Sequence, residues 1–193
     1  MASASPRLVK ELREITPDNG SGVFAEPVAE GDLRNLRGQI LGPEDGPFEG
    51  GKFNISIKIP EGYPFSPPEM KFLTKIWHPN VSSATGYICL DILKDAWSPA
   101  LTIKTALLSL QALLSAAEPT DPQDAVVAEM YLRNRAEYDA KAKEWTALYA
   151  NEDSGDGPVQ RVADMGFDRA AALRALEENA WNEEAAVNSL LGM

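Results

Sequence analysis

The chain has a single cysteine, Cys89, and a single histidine, His78. Both fall between Trp77 and Pro99, a stretch where hydrophobic periodicity disappears and which also holds Trp77 and Trp97. About twenty residues without a regular pattern is unusual inside a compact domain, and such segments are often functional. A lone cysteine reads either as a small buried hydrophobe or as a nucleophile, and this setting keeps both readings open. A cysteine hydrolase needs a base and a third group to orient it. His78 is the one candidate base, but Pro79 follows it directly, and a histidine locked beside proline is expected to tie its own loop through hydrogen bonds. Hydrolysis of an amide is therefore poorly supported. A thiol that accepts an already activated acyl group needs less help, because thioester exchange is nearly balanced and a thiolate is a strong nucleophile. Asn80 is a candidate donor to a developing oxyanion, or simply a turn residue after proline. One cysteine excludes a disulfide within the chain, and one cysteine with one histidine cannot supply the four ligands of a structural zinc site, so no metal is expected.

Several elements must position these groups. Residues 5–15 read as a short amphipathic helix, with Ser5 as cap, Pro6 at the first helical position and Leu8, Leu12 and Ile15 at helical spacing. Arg7, Lys10 and Arg13 lie on its other side, as a solvated face or a contact surface. Pro17 and the Asp18-Asn19-Gly20-Ser21-Gly22 run end it. In Lys52 to Ile59, Phe53, Ile55, Ile57 and Ile59 alternate with polar residues, the period of a half-buried antiparallel strand. Leu36 to Leu41 and Met70 to Thr74 read as further strands, punctuated by Gly42-Pro43, Gly50-Gly51 and Pro64-Phe65-Ser66-Pro67-Pro68. Beyond the irregular stretch, Ile103, Ala106, Leu107, Leu110, Leu113, Leu114 and Ala117 trace one broad face of a buried helix. Pro119 and Pro122 interrupt it, and Asp121-Pro122 suits the cap and first position of the next helix. Tyr138, Ala142, Trp145 and Tyr149 define another.

The polar segment NEDSGDG, residues 151–157, reads as a linker, and residues 158–193 hold three short helical patterns. So small a unit needs a dense core to fold alone. Length and composition fit one to two globular domains: 193 residues, 44% hydrophobic and 24% charged. The net charge of −11 speaks against a nucleic-acid protein. Acidity is uneven, with 15 basic and 20 acidic residues up to 150 against 3 and 9 beyond it. The start, MASASPRLVKELREI, lacks a signal-peptide core, and the greasiest run, Thr105 to Ala117, is too short for a bilayer. The expectation is a soluble intracellular protein.

His78-Pro79-Asn80, followed by Cys89 within ICLDILKDAWSPALTI, resembles the core of the ubiquitin-conjugating enzymes (E2). GPFEGGKF and YPFSPPEMKF are similar to the family's strand and loop signatures, and EPTDPQDAVVA to its loop and helix after the active site. The likeness runs from about residue 5 to 150, with Thr16 to Asp32 matching least well. The spacing from Asn80 to Cys89 is one residue longer than in the commonest members. With ILKDAW and LLSLQALLSAAEP it resembles the branch that carries a C-terminal ubiquitin-associated (UBA) domain and extends ubiquitin chains. Met165-Gly166-Phe167 matches the UBA loop, and Leu190-Leu191 ends its third helix.

The resemblance implies an α+β protein. A UBC catalytic domain over residues 1–150, with an antiparallel four-stranded sheet flanked by helices, would be joined by the 151–157 linker to a three-helix UBA bundle over 158–193. It implies that Cys89 takes ubiquitin from an activating enzyme (E1) as a thioester, which a lysine of a substrate or of ubiquitin then attacks with help from a RING or HECT ligase (E3). ATP is consumed by the E1, so no cofactor is expected here. Asn80 matches the asparagine credited with oxyanion stabilisation or loop ordering, Asp121 the gate that orients the incoming lysine, and Asp91 is a weaker catalytic candidate. His78 is assigned to structure. Arg7 and Lys10 match the first-helix face that engages E1 and E3, Phe65, Pro99 and Ala100 the loops gripped by ligases, and Leu108 the surface met by donor ubiquitin. Met165, Gly166, Phe167, Leu190 and Leu191 match the ubiquitin-binding edge. A monomer in the cytoplasm, with the nucleus also open to it, is the implied setting, without nucleic acid or membrane. Three other readings stand beside this one: an inactive E2 variant acting as a binding module, an E2 for SUMO or NEDD8, and a thiol hydrolase.

Overall fold

The computed structural model of the chain describes residues 6–15, 20–150, 158–179 and 182–192. The proposed Ser5 cap, Pro17 with Asp18-Asn19, and the 151–157 linker lie outside the described residues. In chain order the elements are α1 (Pro6–Arg13), β1 (Val23–Pro27), β2 (Asn35–Leu41), β3 (Lys52–Lys58), β4 (Glu69–Phe72), a 3₁₀ turn (Asp91–Leu93), α2 (Ile103–Ser115), α3 (Ala125–Arg133), α4 (Arg135–Tyr149), α5 (Pro158–Asp164), α6 (Arg169–Glu178) and α7 (Glu183–Leu191).

The four strands form an antiparallel meander in the order β1-β2-β3-β4. Alternation decides which face is buried: Leu36 and Ile40 of β2, Phe53, Ile55 and Ile57 of β3, and Met70 and Phe72 of β4 all enter one core. The buried face of α2, with Ile103, Ala106, Leu107 and Leu110, covers it. Gly38 permits the close approach, since a Cβ there would stand 3.1 Å from Leu107 Cδ2 and 2.8 Å from Ile57 Cδ1. Fully burying each such aliphatic side chain stabilises the fold by about 1.5–3 kcal/mol. β1 falls in the stretch that matched least well, and Val23 pairs with Ile40 and Pro27 with Leu36.

Several boundaries differ from the sequence reading, three of them for a reason visible in the hydrogen bonds. β4 stops at Phe72 rather than Thr74, because Leu73 and Thr74 both donate to Asn54 O, at 2.8 and 3.4 Å, and Thr74 Oγ1 accepts from Asn54 N. Two residues thus face one, and the ladder ends. The helix carrying the 103–114 face ends at Ser115, so Ala117 lies beyond it, past a C-cap at Ala116. Asp121-Pro122 does not start the next helix. Gln123 and Asp124 both donate to Pro79 O at 2.9 Å, which holds the chain irregular until Asp124 caps α3 by accepting from Val127 N.

α5, α6 and α7 make a small bundle around Val162, Ala172, Ala175, Leu176 and Ala186, with Phe167, Val187 and Leu190 packed partly against it. Alanines let short helices approach closely, which answers the need for density. Leu73, just past β4, belongs to this second core and is 9% exposed. A charge cluster closes the junction. Arg161 binds Glu183 through both Nε (2.8 Å) and a terminal nitrogen (2.6 Å), Lys75 Nζ lies 3.9 Å from Glu183, and the same ammonium sits 5.4 Å from the Tyr149 ring centroid. The hydrogen bond from Arg161 holds the Glu183 carboxyl below its usual range against the opposing effect of burial.

Candidate active site

Cys89 is half-buried at the end of a bridged segment. Lys71 pairs with Tyr87, Val81 pairs with Ile88, and Cys89 N donates to Asn80 O at 2.8 Å. Gly86 makes this possible. Its φ is +75°, Phe72 N donates to its carbonyl at 2.9 Å, and a Cβ there would meet Phe72 O at 2.1 Å. Only glycine lets the segment lean so tightly on β4.

His78 is fully buried, and its ring explains the neighbouring turn. Asn80 N donates to Nδ1 at 3.0 Å, so the proton sits on Nε2, which donates to Leu113 O at 3.0 Å. Burial drives its pKa down to about 4, leaving a neutral ring that ties the turn to α2. Its imidazole is not directed at the thiol.

Asn80 is 1% exposed, and its amide is fully engaged. Nδ2 donates to Glu118 O (2.9 Å) and Asp121 O (3.0 Å), while Oδ1 accepts from Glu118 N (2.8 Å). Both amide hydrogens therefore serve the 118–121 loop. That loop brings the exposed Asp121 carboxylate to 3.5 Å from Cys89 Sγ. Asp124 secures the other side by accepting from Ser83 Oγ (2.6 Å) and Ser83 N (3.0 Å). Partial burial pushes its carboxyl up, but the hydrogen bonds from Ser83 and from Val126 and Val127 prevail and hold it below the ordinary value.

Lys94, which sequence reasoning missed, completes the site: its Nζ lies 3.3 Å from Cys89 Sγ. The signal available was a cation five residues past the cysteine in the same irregular stretch, with the turn that brings it back hidden. That turn is the Asp91–Leu93 3₁₀ segment, where Asp91 Oδ1 accepts from Ile92 N and Asp91 O accepts from Lys94 N. Asp91 is exposed on the wall of a groove of about 720 Å³ that Cys89, Lys94, Asp95, Glu118 and Asp121 also line. The groove runs to the α2 surface at Ser109 and Ala112, while Leu108 lies half-buried on α2 against the main core. Among the described residues no group of three or more His, Cys, Asp and Glu side chains could hold a metal ion.

The remaining candidates separate into two regions. Phe65 is 81% exposed, and Pro99 and Ala100 are exposed beside it in the fold. Trp97 Nε1 donates to Pro64 O at 2.8 Å, which joins the two loops. Lys10 is exposed, but Arg7 is engaged inward, bound to Glu11 Oε1 at 2.7 Å and donating to Leu101 O at 2.7 Å. Glu11, also missed, is 5% exposed and accepts from Tyr63 Oη (2.6 Å) and Ile103 N (3.0 Å). This network locks α1, the Phe65 loop and the start of α2 into one surface. In the tail, Met165 and Leu191 are exposed at 62% and 57%, Gly166 turns the chain at φ +99°, and Phe167 and Leu190 are half-buried against the small core.

Comparison with known proteins shows what the chain resembles. Residues 7–146 match the family described as ubiquitin-conjugating enzyme, and residues 158–190 match the UBA/TS-N domain. The chain is 50% identical to ubiquitin-conjugating enzyme E2 27 of Arabidopsis thaliana over 185 residues, covering 95% of this chain and 96% of that protein. It is 45% identical to human ubiquitin-conjugating enzyme E2 K over 194 residues, covering 97% of each. The solved E2 domain of a Toxoplasma gondii ubiquitin conjugating enzyme superposes with a TM-score of 0.71 at 55% identity, covering 75% of this chain and 97% of that one.

Proposed function

Because the chain belongs to the ubiquitin-conjugating enzyme family, as an E2 with a C-terminal UBA domain, we propose that Cys89 is its thioester-forming residue and that it extends ubiquitin chains. An E2 of this family is a transferase working through a thioester, with ubiquitin, an E1 and E3 ligases as its partners. The observation that supports Cys89 is its thiol, set between a cation and a carboxylate in an open groove.

Each group then has a task. Lys94 Nζ lies 3.3 Å from Cys89 Sγ, a donor within reach of the sulfur both when Cys89 attacks the E1-bound ubiquitin and when it leaves. The groove, lined by Asp91, Asp95, Glu118 and Asp121, is open enough for a slender extended segment, here the ubiquitin C-terminus. The acceptor lysine nitrogen attacks the thioester carbonyl, the C–N bond forms and the C–S bond breaks. Cys89 departs as the thiolate, and the amine proton passes by way of Asp121 to solvent. Asp121 orients the lysine, and Asn80 holds the loop that carries Asp121, a role supported by its fully used amide. Asp91 shapes the groove rather than reacting. No cofactor is needed, since the E1 consumes the ATP.

Lys10 contacts E1, and Phe65, Pro99 and Ala100 meet a RING or HECT ligase on the surface that Glu11 and Arg7 organise. Leu108 borders donor ubiquitin. The UBA edge at Met165, Gly166, Phe167, Leu190 and Leu191 binds ubiquitin weakly, on the order of 10–1,000 μM for so small a patch. Met165 and Leu191 face outward, and because the bundle is tethered to the catalytic domain in one chain, a ubiquitin chain bound there is held at an effective concentration approaching the millimolar range. The implied setting is a monomer in the cytoplasm, with the nucleus also open to it.

Charging tests the reading. With E1, ATP and ubiquitin, the protein should form a reductant-sensitive adduct, absent in Cys89→Ala and replaced by a stable oxyester in Cys89→Ser. An adduct unchanged in Cys89→Ala overturns the assignment, and preferential charging with SUMO or NEDD8 by their own E1 enzymes overturns the ubiquitin reading.

A further inference from the structure

We propose that Tyr87 is an acceptor-binding residue, an aromatic platform beside the thiol against which the lysine-bearing segment of the acceptor protein packs. Tyr87 and Ile88 both lie in bridges, paired with Lys71 and Val81, so the backbone here is extended and successive side chains alternate. Ile88 is buried at 8% exposure, which turns Tyr87 and Cys89 together to the outer side. At about 3.3 Å per residue, the ring rises roughly 6.6 Å along the chain from the nucleophile. Tyr87 is 59% exposed in that position, an aromatic face with a polar tip that suits contact with a partner.

The ring is also held. Lys71 Nζ lies 4.7 Å from its centroid, and Gly86 fixes the preceding backbone against Phe72. Contact with a partner therefore costs little side-chain entropy, which is how rigid aromatics become binding anchors. The occupant follows from position. Tyr87 flanks Cys89 along the bridged segment, whereas the groove lined by Asp91, Lys94 and Glu118 does not include it. Donor ubiquitin, bonded to Sγ, takes the Asp91 and Lys94 side of that groove and the acceptor lysine enters past Asp121, so the segment that brings the attacking lysine is the one left to meet the ring. A free amine of lysine size reaches the thioester without needing the platform.

This rests on the reading of Cys89 as the thioester residue, and a failure of that reading would appear as lost charging rather than as altered transfer. The experiment uses the full chain as wild type, Tyr87→Ala and Tyr87→Phe, each charged with ubiquitin and then chased in single turnover with free lysine or with ubiquitin as acceptor. Tyr87→Ala should charge normally and discharge to free lysine within about twofold of wild type, while the KM for acceptor ubiquitin rises about tenfold, the scale of a lost aromatic anchor. Tyr87→Phe should restore the KM, because the ring and not the hydroxyl makes the contact. An unchanged KM for acceptor ubiquitin in Tyr87→Ala would overturn the proposal, and so would an equal loss with free lysine, which marks a distorted loop.

Discussion

Replacing Asn80 with Ala distinguishes a loop organiser from an oxyanion donor, because the two roles predict different companions to the lost activity. The side chain makes three hydrogen bonds, to Glu118 O, Asp121 O and Glu118 N. A neutral hydrogen bond contributes roughly 0.5–1.5 kcal/mol net. Asn80 is buried, but Glu118 and Asp121 are exposed, so water can take over their backbone groups when the loop lifts. That places each bond toward the lower end and the total at about 2 kcal/mol. For a domain of this size such a loss lowers Tm by about 4–8 °C. The lifted loop takes the Asp121 carboxylate away from Cys89 Sγ. Asn80→Ala should therefore show a lower Tm, faster amide hydrogen exchange across residues 118–124, and slowed discharge of the charged protein to lysine, with thioester formation largely retained. Differential scanning fluorimetry, hydrogen exchange and a single-turnover chase measure the three. An Asn80→Ala protein with wild-type Tm and loop protection, but discharge slowed by about 10²-fold or more, would refute the loop account and identify a direct oxyanion contact.

Burial lowers the His78 pKa to about 4 from an ordinary 6.5, so between those values the unfolded chain binds the extra proton. Its contribution is intact above pH 6.5 and is lost as pH falls toward 4, by roughly 3 kcal/mol, which urea melts would show. Since His78 is the only histidine, its imidazole signals report directly, and a ring that protonates near pH 6.5 in the folded protein would contradict the burial argument. Leu73→Asp should release the α5–α7 bundle, seen as independent tumbling of its NMR signals, while ubiquitin affinity stays within about twofold because Met165 and Leu191 face outward. Loss of ubiquitin binding in that variant would show that the edge depends on docking. Phe65→Ala should leave E1 charging intact and weaken ligase-stimulated discharge, on the scale of about 2 kcal/mol for an aromatic anchor, and unchanged stimulation by a cognate ligase would remove Phe65 from that surface.

The cleft of about 630 Å³ between the 43–49 turn and α4 shows why a cavity alone is a poor guide to function here. Its Arg135 is already bound to Asp139 at 2.8 Å and covers the Tyr131 ring, and it contains neither cysteine nor histidine. The groove at Cys89 has instead a thiol, a cation and a carboxylate within reach of one another.

Local pattern was enough for most of the architecture. Period-two alternation in β3, the apolar face of α2 and the glycine and proline punctuation are one-dimensional signals, because each element must turn its own apolar side inward. Cys89 and His78 stood out for a different reason, as the single cysteine and single histidine in a stretch without periodicity, with Asn80 beside them. Long-range partnership was not legible. Asp121 and Asp124 look alike as helix caps until Pro79 O captures the backbone of residues 123 and 124, which leaves Asp124 to cap α3 and Asp121 beside the thiol. Glu11 reads as one more charge on a helix until Tyr63 and Ile103, far along the chain, both donate to it. Leu73 reads as the tail of a strand until the last three helices cover it. Hydrophobic period depends on neighbours within a few residues, whereas a buried carboxylate, a capped loop or a covered leucine is decided by groups that only the completed fold brings within a few ångströms.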